Sequence, residues 1–187
     1  MASHRLKILC AAALLTALSL VAMAIQIPFP LLPQVYKYDL ADVPALIGTF
    51  TLGPGPAVAI VLCRNILHNF IVKPNPVGHV MNFAASGFLV LIAGSVYIKR
   101  HNRKGAIWAL FFGVLAQTLV MIPLNLLVLP HYLGFTVDKA LYYLVAFTIP
   151  FNLSKGVVNG IATYLLYKKV SSSLPHYSSA ALRGEQR

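Results

Sequence analysis

The sequence predicts an all-α integral membrane protein, a bundle of six transmembrane helices, and three observations carry that prediction. Of its 187 residues, 58% are hydrophobic and 10% charged, with a mean hydropathy of +0.76. Six apolar runs divide the chain, leaving room for little besides six crossings of roughly 20 residues each. Lysines and arginines gather in short clusters beside those runs. A net charge of +11 could serve a nucleic acid, but that needs cations on a solvated face, and these flank membrane-length segments instead. No nucleic-acid partner is expected; the solvent of this surface is the lipid bilayer.

The first helix is expected over 6–27. Its basic start and small-residue end resemble a secretory signal, yet the uncharged run from Ile8 to Ile27 exceeds the roughly 7–15 residues of a signal core. Pro28, Pro30 and Pro33 end it. Further helices are expected over 41–53, 56–72, 79–98, 105–129 and 140–168, with the "GPGP" of 53–56 between the second and third and the "KPNP" of 73–76 after the third. Residues 1–170 form one membrane domain, and 171–187 a flexible tail. Cys10 and Cys63 lie inside apolar runs, where they read as small packing residues rather than as a disulfide or metal pair.

An even number of crossings puts both ends on one side. One side collects Arg5, Lys7, Lys99, Arg100, Arg103, Lys104, Lys168, Lys169, Arg183 and Arg187, and the other only Lys37, Lys73 and Lys139. The positive-inside rule makes the rich side, and both termini, cytoplasmic. Residues 28–40 then form the longest outer loop, which holds Asp39 just before Asp42. The other acids of the chain are Asp138 and Glu185.

Polar side chains at membrane depth need a partner, a cavity or a ligand. The third helix has Arg64 and His68 four apart, as are Asn65 and Asn69. The last has Asn152, Lys155, Asn159 and Thr163 at spacings of three, four and four, a single stripe that must face the interior. His79, Asn82 and Ser86 follow on the fourth helix, and Gln117 and Asn125 on the fifth, the latter after Pro123. Amides of this kind also serve as glue between helices. Arg64 can snorkel, pair with Asp42 or shape a cavity, while His68 lacks the neighbours of a metal ligand. Lys155 and Asn152 beneath an acidic, aromatic loop suggest a small-molecule pocket open to the outside. Tyr36, Tyr38, Phe50, Tyr132, Tyr142 and Tyr143 suit a flat ligand, or anchor the chain at the interface. Among catalytic and nucleotide motifs, G-x-S-x-G, H-E-x-x-H and G-x-x-x-x-G-K are absent from the sequence. No enzymatic activity and no cofactor or metal of its own are expected, and uphill transport would need energy from elsewhere.

Five stretches carry a family resemblance along nearly the whole chain: "YKYDLADVPALIGTFTLGPGPA" at 36–57, "RNILHNFI" at 64–71, "PVGHVMNFAASG" at 76–87, "IPLNLLVLPHYL" at 122–133 and "FNLSKGVVNGIATYLLYKK" at 151–169. With them the chain resembles the substrate-binding S-components of energy-coupling-factor (ECF) vitamin transporters, in particular the riboflavin-specific members. That resemblance implies a multi-pass protein of a prokaryotic plasma membrane whose first outer loop closes as a lid over the vitamin. It implies ligand contacts from Tyr36, Lys37, Tyr38, Asp39 and Leu40 of the loop, from the Gly78 to Met81 segment including His79, and from Asn125, Asn152 and Lys155. At the His79 position similar proteins often carry an acid. It also implies riboflavin, with FMN as a second candidate, as transported ligand. The partners implied are a membrane-embedded coupling subunit and two ATPase subunits, docked through Ala13 and Ala17 of a small-x-x-x-small pattern that could otherwise pack within the chain. The alternatives are an S-component for another vitamin or cofactor precursor, an intramembrane hydrolase using His68 and Arg64, and a membrane scaffold.

Overall fold

The computed structural model describes residues 2–28 and 36–170. Within them the chain is helical apart from one short strand pair: α1 (Ala2–Ala24), β1 (Ile27–Pro28), β2 (Lys37–Tyr38), α2 (Asp42–Leu52), α3 (Pro54–Ile71), α4 (Pro76–Tyr97), α5 (Arg103–Leu133), α6 (Val137–Tyr143), a π-helical turn (Leu144–Thr148) and α7 (Ile149–Val170). The strands were not expected. They pair antiparallel, Ile27 opposite Tyr38, and bring the loop after α1 back beside its own start. The segment 29–35 and the tail 171–187 lie outside the described residues.

Helix boundaries fall close to the apolar runs, and the departures have local causes. The "GPGP" segment does not separate two helices by four residues. Gly53 alone does so, at φ 93°, while Pro54 and Pro56 sit in the first turn of α3. A proline there lacks only an N–H that would have no helical acceptor. Asn75 starts α4 by accepting from Gly78 N at 3.1 Å, and Asn102 starts α5 by accepting from Gly105 N at 2.7 Å. α5 runs through Pro123 and Pro130 and ends at Gly134 in the left-handed region, φ 66°.

Among the described residues, four segments are long and apolar enough to cross a bilayer: Arg5–Ala24, Pro76–Tyr97, Arg103–Leu133 and Val137–Tyr167, the last crossing the π-helical turn. α2, with 11 residues, spans about 16 Å, roughly half a hydrocarbon core. It is buried along almost its whole length between α1, α3, α4 and α7. Around it the apolar core takes Leu15 from α1, Ile60 and Val61 from α3, Leu89 and Val90 from α4, and Ala109 and Leu110 from α5. Close approach needs small residues: a Cβ on Gly156 of α7 would lie 2.7 Å from Val114 of α5. Cys10 and Cys63 are exposed, so they face outward rather than packing inside.

Candidate functional site

Every buried ion pair among the described residues lies in the half of the bundle where α1 and α3 end and α2 and α7 begin. The last helix supplies one wall. Asn152, Lys155, Asn159 and Thr163 are all buried, as their spacing requires, and Thr148 extends the stripe one turn toward the loop. Thr148 closes the π-helical turn.

The Tyr36–Leu40 segment lies directly on this wall. Asp39 is held three ways: its Oδ2 accepts from Lys155 Nζ at 2.9 Å, its Oδ1 from Ala41 N at 3.1 Å, and its carbonyl oxygen from Asn159 Nδ2 at 3.1 Å. The Tyr36 hydroxyl meets Thr148 Oγ1 at 2.7 Å, and the Tyr38 hydroxyl meets Ser154 Oγ. Both rings rest on Phe151, at centroid distances of 5.0 and 5.2 Å. Burial raises the Tyr36 phenol above its ordinary pKa, so it remains a neutral hydroxyl. Leu40 is half exposed and Lys37 partly so.

Behind this joint, Asn152 Nδ2 donates to Thr148 O at 2.8 Å and its Oδ1 accepts from Gln117 Nε2 of α5 at 3.4 Å. Asn125, also buried, donates to Met121 O within α5. Gln117 Oε1 and Asn159 Oδ1 are buried without a hydrogen-bond partner. Two buried acceptors in this state are unfavourable unless something else comes to them.

A second cluster forms around Arg64, fully buried like Asp42, its ion-pair partner at 2.5 Å. Its guanidinium also donates to Ser86 Oγ at 2.7 Å, Asn82 Oδ1 at 3.3 Å, Ser19 Oγ at 3.0 Å and the Ala41 carbonyl. One side chain of α3 thus ties together α1, α2 and α4. Of the roles open to Arg64, pairing with Asp42 is the one realised.

Gly78 and His79 make contacts with α3 and the turn after it. Gly78 N donates to the Asn75 cap of α4, and His79 sets Nε2 3.3 Å from His68 Nδ1 and 3.1 Å from Lys73 O, with its Nδ1 3.4 Å from Asn65 Oδ1. Met81 is half-buried one turn along. Phe50 lies far from the loop, packed on Tyr97 and Tyr167 near the other end of the bundle. Tyr132 and Tyr142 point outward, as interfacial anchors do. Ala13 and Ala17 are exposed on α1, whose inward face is Ala11, Leu15, Ser19 and Met23. They do not pack within the chain.

Sequence reasoning missed Thr148, Phe151 and Ser154. Thr148 falls four residues before Asn152 on the same stripe, a signal that was available. Phe151 and Ser154 lie off the stripe, and only the loop's position reveals them.

A buried lysine facing a loop acid, with amides from two helices behind it, in an apolar helical bundle, marks a membrane protein with a polar functional site. The chain belongs to the substrate-specific components of ECF transporters, the family whose sequence model, "ECF transporter, substrate-specific component", matches residues 7–167. Among its relatives is the riboflavin transporter RibU of Staphylococcus aureus (strain TCH60), 32% identical across 90% of this chain and 92% of that protein. Another is the riboflavin transporter FmnP of Bacillus subtilis (strain 168), also 32% identical, across 94% and 98%. RibU of Lactococcus lactis subsp. cremoris (strain NZ9000) is 34% identical across 82% and 78%. A solved structure described as "Structure and mechanism of the S component of a bacterial ECF transporter" superposes with a TM-score of 0.80, at 32% identity, covering 90% of this chain and 98% of that one.

Proposed function

We propose that this chain is the riboflavin-binding subunit of an ECF-type ABC transporter, without catalytic activity of its own. The observation that carries the reading is the joint between the Tyr36–Leu40 segment and α7, where a buried ammonium and uncommitted amide oxygens meet, in a chain related to named riboflavin transporters. In this reading the segment is the lid of a six-crossing bundle. Tyr36, Lys37, Tyr38, Asp39 and Leu40 close over the vitamin, Asn125, Asn152 and Lys155 address its polar atoms, and Gly78, His79 and Met81 flank the ring. Both termini lie in the cytoplasm, as the charge census favours.

Riboflavin suits this chemistry. Its uracil-like edge presents one N–H donor between two carbonyl acceptors, and a carboxamide can answer both kinds of group. The ribityl hydroxyls can donate to the oxygens of Gln117 and Asn159. Lys155 has three N–H donors, so it can keep Asp39 and still reach the ligand. Because Asp39 already balances that ammonium, a neutral vitamin enters without leaving net charge buried, whereas the phosphate of FMN would add anions with only the partly exposed Lys37 to meet them. Titration of the purified protein should quench riboflavin fluorescence with one-to-one stoichiometry, without ATP and more tightly than FMN. Binding of thiamine or folate with no quenching of riboflavin would overturn the assignment.

Transport requires a partner, since no ATP-binding motif occurs in the sequence. The exposed Ala13 and Ala17 give α1 a flat strip on which a helix of the membrane-embedded coupling subunit, carrying two ATPases, can approach closely. Ala13→Trp should leave riboflavin affinity unchanged while abolishing co-purification with the coupling subunit and vitamin uptake. Loss of binding together with docking, or unchanged uptake, would remove α1 from that role.

A further inference from the structure

A groove of about 350 Å³ opens at the turn between α4 and α5, lined by Val96, Lys99, Arg100, Trp108 and Phe112. It lies at the end of the bundle opposite the Asp39–Lys155 joint. Trp108 and Phe112 are 49% and 43% exposed, and their rings stack at 26° with centroids 5.8 Å apart. Leu115 and Leu119, also exposed, follow at helical spacing on the same face. From Trp108 to Leu119 the stripe runs about 16 Å, close to half the thickness of a hydrocarbon core.

The charged lining of the groove is Lys99 and Arg100, both exposed, and the exposed Arg103 and Lys104 stand beside it. Among the described residues the acids are Asp39, Asp42 and Asp138, all at the other end of the bundle, so no described carboxylate stands beside these cations.

We infer that this groove is a binding site for one anionic phospholipid, its phosphate against Lys99 and Arg100 and an acyl chain along the Trp108–Leu119 stripe. An inorganic phosphate would leave the aromatic wall unused, and an acidic peptide would leave the apolar stripe uncovered. A phospholipid uses both, and an anionic headgroup avoids placing a choline cation beside two others.

Trp108 is the one tryptophan of the chain, so tryptophan emission, excited at wavelengths the nine tyrosines do not absorb, reports this groove alone. The full chain is reconstituted in phosphatidylcholine vesicles in which a fixed fraction is replaced by acyl-brominated phosphatidylglycerol or by acyl-brominated phosphatidylcholine. Brominated phosphatidylglycerol should quench Trp108 with a preference of about ten-fold, falling below about two-fold in K99Q/R100Q. The pair R103Q/K104Q removes the same charge beside the groove rather than in it, and should keep most of the preference. Riboflavin quenching, unchanged in both variants, shows that they are folded. Equal quenching by the two lipids, or equal loss in both double variants, would reduce the site to a diffuse cationic surface and overturn the inference. Relief of quenching by inorganic phosphate would overturn it too, by assigning the cations to a soluble anion.

Discussion

Asp39 and Asp42 stand three residues apart, each buried against a cation, yet the two ion pairs do different things. Asp42 and Arg64 are both fully buried, and the guanidinium is met by groups from α1, α2 and α4, all of them in helices or at the very start of one. Asp39 and Lys155 retain slight exposure, and their contact joins a segment between helices to the face of α7. The first pair closes a framework. The second closes a joint between a helix and the segment beside it, since only one of its partners belongs to a helix. Polar saturation does not follow the same division: Asp42 Oδ2 and Arg64 Nε in the framework are buried without partners, as are the amide oxygens of Asn159 and Gln117 behind the joint.

The largest effect separating the two pairs should come from Arg64→Met. Removing one member of a fully buried pair strands the other, at about 3–5 kcal/mol. Thermal unfolding in detergent should show a large loss of stability, while riboflavin affinity of the fraction that stays folded changes little. Asp42→Leu added to Arg64→Met should recover most of the stability, since no buried charge remains unpaired. A double variant no more stable than the single would mean that the guanidinium's other hydrogen bonds, not the charge pair, hold the four helices.

Lys155→Met should do the reverse. Asp39 lies outside any helix and can turn toward water, so the fold should lose far less than with Arg64→Met. Removing the ammonium costs the ligand a buried contact of about 1–3 kcal/mol, or roughly five- to a hundred-fold in affinity. Asn152→Leu should act in the same direction, since Gln117 loses its partner as well. Flavin titrations on variants with wild-type unfolding profiles decide the matter, and unchanged affinity in both would make α7 a structural wall.

What was legible in the sequence follows the range of the signal. The α7 stripe was readable because helical periodicity places residues at spacings of three and four on one face whatever packs against it. That Asp39 is the group meeting Lys155 was not, since 116 residues separate them and no local pattern links them. Phe50 was the right residue type in the wrong place: α2 starts beside the loop and runs away from it, so a residue eight positions beyond Asp42 lies about 12 Å deeper. The "GPGP" segment misled for a different reason, because prolines that break a helix interior are tolerated in its first turn.

The smallest effect, and the finest probe of the joint, should come from Tyr38→Phe. The substitution keeps the ring against Phe151, at 5.2 Å between centroids, and removes the hydroxyl that meets Ser154. Ser154 Oγ also donates to Phe151 O at 3.0 Å, so it is not left without a partner when that hydroxyl goes. The loss should therefore stay near the ordinary worth of one hydrogen bond, about 0.5–1.5 kcal/mol, or roughly two- to twelve-fold in affinity. If the segment closes over the vitamin, this loss falls on release, because a weaker joint opens more often with the ligand beneath it. Stopped-flow fluorescence should show faster riboflavin dissociation and a nearly constant association rate. Ser154→Ala should give the same change, and combining the two should add little, since both remove one contact. Additive losses would mean that the two hydroxyls act separately. A drop in overall stability comparable to that of Arg64→Met would make the segment part of the framework, and the difference between the two ion pairs would vanish.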